Sequence, residues 1–350
     1  MTTYVLGAGA SKDAGYPLAK TMASDLLQWM KRPTHAPDSY AANYPDTARF
    51  FEETFAPIGN IEDLVTAIHN TIDENANGTL EQRVKRTVVA NQYGVFKNAV
   101  REWFAEIQQS VALVSSVYHD FARHIVEPGD CVITFNYDVS LDRELRHAGK
   151  FEVGDGYGFL IQGLPGRSAT KILKLHGSTS WLALLFSGLT SGFSSFQPGN
   201  TLGARPVIGK NELSFLGYAD EVDPLFGNGG AALPVMIFPA RSKDFYFAPN
   251  TGIEYVEFWN ELWRQAKAAL ELADRIVICG YGLNPIDDRA HTLLLTAPKK
   301  DAEIVIASGE RTVGIVTEFR DAKYTNVMPA EESLFHNWVA KCANSVALAH

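Results

Sequence analysis

The stretch Thr3-Tyr4-Val5-Leu6-Gly7-Ala8-Gly9-Ala10-Ser11 predicts how the fold begins, because a short apolar strand runs directly into a glycine turn. Glycines after a strand let backbone amides approach a pyrophosphate, and a following helix adds partial positive charge at its N-terminus. The alternative is a tight strand-to-helix turn without a ligand. Lys12 stands where the fingerprint G-x-G-x-x-G requires its last glycine, and the second strand with its ribose-binding acid lies far downstream. A hydride-transfer enzyme is therefore disfavoured.

Apolar runs rich in β-branched residues recur along the chain and predict the strands of a sheet. Several are continuous rather than alternating, which is typical of parallel strands covered on both faces. The predicted strands are Thr3–Leu6, Cys131–Phe135, Ile172–Leu175, Val235–Phe238, Arg275–Cys279 and Glu303–Ala307. Helical patterns separate them, so we expect an α/β fold built on a Rossmann-like doubly wound parallel sheet.

The spacing of these runs is uneven, and the longest gap separates the first strand from the second. It holds the helical patterns Leu18–Met30, Asp46–Phe55, Ile61–Asp73, Leu80–Gln108 and Val111–Glu127. We therefore predict one domain over residues 1–350 with a large helical insertion at about 20–128. A segment at about 181–233, rich in Gly, Ser and Pro, is expected to form loops and short strands. Later helices are predicted at Glu254–Ala273 and Glu331–Cys342.

Composition narrows the class of protein. The formal net charge of −9 argues against a general nucleic-acid binder, because phosphate binding needs clustered Lys and Arg. The three cysteines, Cys131, Cys279 and Cys342, form no CxxC pair, so we expect neither a four-cysteine zinc site nor a disulfide framework. No apolar run reaches the length of a membrane span, and the first residues do not form a signal peptide. We expect a soluble cytoplasmic protein without a bound metal.

The run Thr134-Phe135-Asn136-Tyr137-Asp138 follows the second predicted strand. Ligands of open α/β sheets bind at such strand ends, where Asn136 would offer a donor and an acceptor to sugar hydroxyls or to water. The alternative is an Asx turn or a cap of the following helix, Val139–His147. Asp138 fits the cap better than Asn136 does.

Two further strand ends carry polar groups. His176, in Lys174-Leu175-His176-Gly177-Ser178, is a candidate proton acceptor because histidine as a residue type can exchange a proton near neutral pH, although a lone histidine is often structural. The run Ile276–Leu283 contains a second glycine turn, Gly280 and Gly282, and precedes a helix capped by an acid near Asp287. The two glycine turns could clamp one dinucleotide, or the second could be an ordinary sheet-to-helix connection. Ser308, after the predicted strand Glu303–Ala307, could bind a ribose hydroxyl.

In this order and at these strand ends, the motifs resemble those of the sirtuin superfamily. The matching residues are Gly7, Ala8, Gly9, Ala10, Ser11, Gly15, Tyr16, Pro17, Thr134, Asn136, Asp138, His176 and Gly177. Further features resemble the bacterial sirtuin-like branch of anti-phage defence: Trp181, Gly280, Tyr281, Leu283, Asp287, residues 60–64 and 237–240, and Lys243. Two features of the deacetylases are absent: their zinc module, and the D-F-R motif, where this chain has Leu18-Ala19-Lys20.

This resemblance implies an NAD hydrolase that cleaves the nicotinamide–ribose bond and depletes NAD in abortive-infection defence. Asn136 would hold the ribose or the attacking water, and His176 would accept a proton. The first loop and Ser11 would bind the pyrophosphate, Gly280 and Gly282 the adenosine side, and Ser308 its ribose. Asp13 and Lys243 are open candidates.

Other functions remain open at this stage: a silent NAD or ADP-ribose sensor, a protein deacylase, or an ADP-ribosyltransferase. The resemblance also implies a homo-oligomer, or regulation by a separately encoded partner such as a DNA-translocating ATPase or an Argonaute-type protein.

Overall fold

A parallel six-stranded sheet forms the centre of the protein. The computed structural model describes residues 1–32, 43–75, 78–111, 117–161, 164, 166–184, 206–208, 211–212, 216–218, 232–238, 240 and 253–347. Lys243 and most of the predicted loop-rich segment at 181–233 lie outside these residues.

The strands of the central sheet are β1 (Thr2–Leu6), β2 (Cys131–Thr134), β4 (Lys171–Lys174), β10 (Arg275–Cys279), β11 (Glu303–Ala307) and β12 (Val327–Pro329). Their order across the sheet is β4-β2-β1-β10-β11-β12, and every pair is parallel. Counted along the chain within this sheet, the order is 3-2-1-4-5-6, that of the dinucleotide-binding Rossmann sheet. The predicted doubly wound parallel sheet is thus confirmed, and β12 is an additional edge strand.

Two small antiparallel sheets accompany the central one. One joins β3 (Leu160–Ile161), β6 (Pro206–Ile208) and β7 (Asn211–Glu212); the other joins β8 (Leu216–Tyr218), β5 (Gly177–Leu184) and β9 (Ala232–Met236). The predicted strand Val235–Phe238 belongs to this second sheet and ends at Met236. Its apolar residues are buried like those of the parallel strands, and burial alone does not distinguish the two kinds of pairing.

Helices fill the interval between β1 and β2, as the sequence predicts. They are α1 (Ala8–Ser11), α2 (Ala19–Met30), α3 (Tyr44–Phe55), α4 (Ile61–Glu74), α5 (Leu80–Val111) and α6 (Val117–Asp120), with a π-helical turn at Phe121–Ile125. The first turn of α4 is stabilised by a side-chain cap, because the Asn60 side chain accepts a hydrogen bond of 2.9 Å from the Asp63 amide. Every third or fourth residue of α2, such as Met22, Leu26 and Met30, faces the core.

The remaining helices cover the sheet and close the chain. They are α7 (Ser140–His147), α8 (Val153–Gly156), α9 (Ile253–Leu272), α10 (Asp288–Thr296), α11 (Thr312–Asp321) and α12 (Phe335–Ala347). In α12 the side chains of Phe335, Trp338 and Val339 are buried in the common core. No helix of the described residues is long and apolar enough to cross a membrane.

Candidate functional site

A cavity of about 680 Å³ opens where β1 and β10 end side by side. This is the point at which the strand order reverses, and α/β sheets bind ligands in the crevice there. Its volume lies within the range of ligand pockets. Nine of the predicted site residues line it: Ala8, Gly9, Ser11, Asn136, Asp138, His176, Gly280, Gly282 and Ser308.

Four predicted residues support the cavity wall from behind. The Gly7 carbonyl and the Thr134 hydroxyl accept hydrogen bonds from the Asn136 side-chain and backbone nitrogens, at 2.9 and 3.1 Å. Ala10 is fully buried. Gly15 ends the short helical segment after the loop with a φ of +84°.

The two glycine turns touch each other directly. The Gly9 amide donates to the Gly280 carbonyl at 2.9 Å, and the Gly7 amide donates to the Cys279 carbonyl at 3.0 Å. A Cβ on Gly9 would lie 2.8 Å from the Gly280 Cα, and a Cβ on Gly280 would lie 2.2 Å from the Ala10 nitrogen. Close backbone packing therefore requires glycine at both positions.

The helix that directly follows the first loop is very short. α1 has only four residues, a 3-10 turn at Lys12–Ala14 follows, and the long helix α2 begins only at Ala19. Gly15, with a positive φ, and Pro17 interrupt the helical path between them. The wall at this point consists of backbone turns and of the Ser11 side chain rather than of a long helix end.

A closed hydrogen-bond network surrounds Asn136. Its amide nitrogen donates to the Gly7 carbonyl at 2.9 Å and to the Ser11 hydroxyl at 2.8 Å. A carbonyl oxygen only accepts, so the atom that faces Gly7 must be the nitrogen. Both N–H groups are thereby used, and the Asn136 Oδ1 is left as its acceptor for a ligand. Asn136 was predicted to donate to a ligand, but Gly7 and Ser11 accept both of its side-chain hydrogen bonds.

Ser11 is the centre of this network. Its hydroxyl donates to the Asp138 carboxylate at 2.7 Å and lies 2.8 Å from the Tyr118 hydroxyl. A hydroxyl has one proton and two acceptor positions, so Tyr118 must donate to Ser11. Tyr118 is buried and comes from the helical insertion. Burial, and then the charge of Asp138, raise the pKa of Tyr118 well above its usual value, which keeps it a donor.

Asp138 connects the network to a buried charge pair. Its second oxygen accepts a hydrogen bond from the Ser140 amide at 3.2 Å, although the N-cap residue of α7 is Val139 and not, as the sequence suggests, Asp138. Burial raises the pKa of the Asp138 carboxyl, while the Lys174 ammonium opposes the rise. Lys174 is fully buried and donates to the Asp138 carbonyl at 2.5 Å and to the Asp142 carboxylate at 3.0 Å.

His176 follows β4 and is paired with an acid from the segment between β10 and α10. Its Nε2 is 3.1 Å from an Asp287 carboxylate oxygen; the His176 side chain is buried and that of Asp287 is only slightly exposed. The ring contacts Phe135 edge to face at 5.0 Å between centroids. Phe135 in turn stacks on Tyr281 at 4.4 Å. Burial, and then the charge of Asp287, raise the pKa of Tyr281 well above its usual value.

The rim of the cavity carries both signs of charge. Lys12, Lys20 and Arg311 line it, together with Glu62 and Glu310. Below them, the Ser308 hydroxyl is buried and has no hydrogen-bond partner among the described residues. A buried hydroxyl without a partner is costly unless a ligand or water satisfies it.

Asp13, an open candidate from the sequence, makes a structural contact. Its carboxylate lies 2.8 Å from Nδ1 of His336, which belongs to α12. The pair joins the first loop to the closing helix, and both residues line the cavity rim.

Tyr118, and the pairing of His176 with Asp287, could not be found from the sequence. Tyr118 is one tyrosine within a long helical stretch, without a motif around it. Asp287 was expected to cap α10, yet its side chain makes no cap hydrogen bond. Asp287 lies 111 residues from His176 in the sequence, so only the folded structure shows that the two side chains are paired.

Within the described residues, no cluster of three or more His, Cys, Asp and Glu side chains is placed to hold a metal ion. Cys131 and Cys279 are buried as single thiols, as expected for small apolar side chains, and Cys342 is partly buried.

Comparison with known proteins gives distant structural likenesses. No protein-family model matches the sequence. No curated protein matches it either. Among solved structures, the chain is similar to a Sir2 homologue in complex with NAD, with 11% identity, coverage of 99% of this chain and 90% of that chain, and a TM-score of 0.41.

A structure described under the mechanism and regulation of Sir2 enzymes has 13% identity, coverage of 100% and 93%, and a TM-score of 0.35. One described under sirtuin substrate affinity has 11% identity, coverage of 100% and 93%, and a TM-score of 0.38. Because these identities and TM-scores are low, the assignment of the fold is based on the strand order of the chain itself.

Proposed function

We propose that the protein hydrolyses NAD at the nicotinamide–ribose bond, giving nicotinamide and ADP-ribose. One observation carries the proposal: the amide of Asn136 and the imidazole of His176 line the same cavity at the switch point of a 3-2-1-4-5-6 sheet. Asn136 brings an acceptor oxygen, and His176 brings a base already paired with a carboxylate.

The cavity also suits the polar and aromatic parts of a dinucleotide. The buried Ser308 hydroxyl lacks a partner among the described residues and can bond a ribose hydroxyl. Tyr281 and Phe135 offer apolar ring surface, and Lys12, Lys20 and Arg311 offer positive charge to the diphosphate. We assign Ser11 and the glycine turns to the floor beneath the diphosphate, with Gly280 and Gly282 towards the adenosine.

The reaction breaks the C–N bond between the ribose and the cationic nicotinamide ring. The electron pair of that bond goes to nicotinamide, which leaves neutral, and a water oxygen bonds to the anomeric carbon. Asn136 Oδ1 would accept a hydrogen bond from a ribose hydroxyl or from that water. His176 would accept the proton that the water loses.

The direct test follows the release of nicotinamide and ADP-ribose from NAD by the purified protein, without any acceptor protein. We expect Asn136→Ala and His176→Ala to lower the rate by about 10²–10⁴-fold, since each removes one positioned group. Far-UV circular dichroism would show that both variants fold. His147→Ala, which removes an exposed histidine of α7, should leave the rate unchanged.

Three results would overturn the assignment. Wild-type turnover in His176→Ala would remove His176 from the reaction. Tight NAD binding without nicotinamide release, in the presence of the genomic neighbours as well, would favour a sensor. Release that depends on an acylated peptide or a protein acceptor would favour a deacylase or an ADP-ribosyltransferase.

The motif resemblance extends this proposal to the cell. We place the enzyme in the cytoplasm as an NAD-depleting effector of anti-phage defence, controlled by oligomerisation or by a separately encoded partner. Measurement of cellular NAD after phage infection, in cells with the wild-type protein or with Asn136→Ala, tests this role. NAD that falls equally in both strains would contradict it.

A further inference from the structure

Asp287 occupies an N-cap position without acting as an N-cap. It directly precedes α10, where an aspartate ordinarily accepts hydrogen bonds from the first free amides of the helix. Here the side chain makes no such bond, and one carboxylate oxygen lies 3.1 Å from the His176 Nε2. The helix start thus lacks a stabilising side-chain cap, and the carboxylate is directed to His176 instead.

The surroundings of Asp287 make this contact strong. The side chains of His176 and Asp287 are only 7% and 12% exposed, so water screens their interaction little. Two other groups face the carboxylate. The first is the buried hydroxyl of Tyr281, which lies beside the carboxylate. The second is the guanidinium of Arg289, which packs over the Trp263 ring and interacts with the negative charge of Asp287. Arg289 also donates to the Asn260 side chain at 2.9 Å.

The contact determines which nitrogen of His176 carries the proton. A neutral imidazole has one N–H and one bare nitrogen, and a carboxylate oxygen can only accept. The nitrogen that faces Asp287, Nε2, must therefore hold the proton, so the proton taken from water goes to Nδ1. The imidazolium that results has a negative charge beside it, as in the His–Asp part of hydrolytic triads.

We propose that Asp287 is a positioning residue of the NAD hydrolysis, which holds His176 in its Nε2–H tautomer and stabilises the imidazolium that forms. This inference rests on the proposed function for its role in turnover. The tautomer itself is a property of the protein without substrate.

The first experiment therefore needs no turnover. Two-dimensional ¹⁵N–¹H spectra of the imidazole rings of the wild-type protein distinguish the two tautomers, and a His176→Gln spectrum assigns the ring among the nine histidines. We expect the Nε2–H form for His176 near neutral pH. The Nδ1–H form would overturn the proposal, whatever the protein does with NAD.

The second experiment measures turnover of Asp287→Asn across pH. We expect kcat to fall by about 10²–10⁴-fold with KM for NAD little changed, because the substitution acts on proton transfer rather than on binding. The acidic limb of the pH–rate profile should also move to lower pH, because the imidazolium loses its neighbouring negative charge. A change in folding alone would not shift that limb.

A matched control is available outside the cavity. His119 and Glu144 form another histidine–carboxylate pair at 3.1 Å, and Glu144→Gln should leave kcat and the pH profile at wild-type values. Wild-type kcat and pH profile in Asp287→Asn would overturn the positioning role. An inactive wild-type protein with the Nε2–H tautomer would instead contradict the proposed function while leaving the His176–Asp287 pair established.

Discussion

The two walls of the cavity differ in how completely their polar groups are satisfied. On the wall formed after β1 and β2, Ser11, Tyr118, Asn136 and Asp138 bond one another, with the Lys174–Asp142 pair behind them. On the wall formed after β10 and β11, the buried Ser308 hydroxyl has no partner among the described residues. The first wall is a hydrogen-bonded frame that presents the Asn136 Oδ1, and the second keeps a buried hydroxyl that a ligand or water can satisfy.

The largest expected effect on stability comes from Lys174→Met, which removes the buried cation behind the first wall. Lys174 is fully buried, and its loss leaves the buried Asp142 carboxylate without its cation. Removal of one member of a buried pair typically costs about 3–5 kcal/mol, and we expect that fall in the free energy of unfolding by urea denaturation. Lys267→Met, in an exposed pair with Glu271, should change it by at most about 0.5 kcal/mol. An equal effect of both would show that the buried pair contributes no more to stability than an exposed one.

The second prediction concerns the seam where the walls meet. Gly280→Ala should destabilise the protein by about 1–3 kcal/mol, because Gly280 has a φ of +61° and a Cβ there would lie 2.2 Å from the Ala10 nitrogen. Gly282, two residues on, has no atom within 4 Å of such a Cβ. Thermal unfolding of Gly282→Ala should therefore match the wild type. Equal stability of the Gly280→Ala protein would contradict the close packing of the two turns.

The third prediction compares one hydroxyl from each wall. Tyr118→Phe removes a donor from the closed network and should cost about 1 kcal/mol of stability. Ser308→Ala removes a buried hydroxyl without a described partner, so we expect stability within about 0.5 kcal/mol of the wild type. Isothermal titration should show weaker NAD binding for Ser308→Ala. Destabilisation of Ser308→Ala with unchanged NAD affinity would reverse our interpretation of the second wall.

The parallel strands could be predicted because a strand buried on both faces has a continuous apolar run. β1, β2, β4, β10 and β11 lie within two residues of their predicted bounds. β12 escaped prediction because it has three residues, of which Met328 is exposed and Pro329 is a poor strand former. Val235–Phe238 has the right pattern for a strand, yet periodicity does not specify its partner.

The site was predictable as far as each residue could be placed on its own strand end. Asn136 and His176 follow strands that are neighbours in the sheet, so their common edge follows from the topology. The hydrogen bonds between distant segments do not follow from the topology. Ser11 meets Tyr118 across 107 residues and Asp138 across 127, and no local pattern encodes which of several hydroxyls will face the other.

The order in which the wall residues occur along the chain has a consequence for synthesis. Ser11 is synthesised long before Asp287, Ser308 and Phe335, which lie far downstream of it in the sequence. A polypeptide whose synthesis stops before Asp287 therefore lacks one wall of the cavity, although it already contains Ser11, Asn136 and His176. Under the proposed NAD hydrolysis, such an unfinished molecule would lack both Asp287 and Ser308 and would have no complete site for NAD.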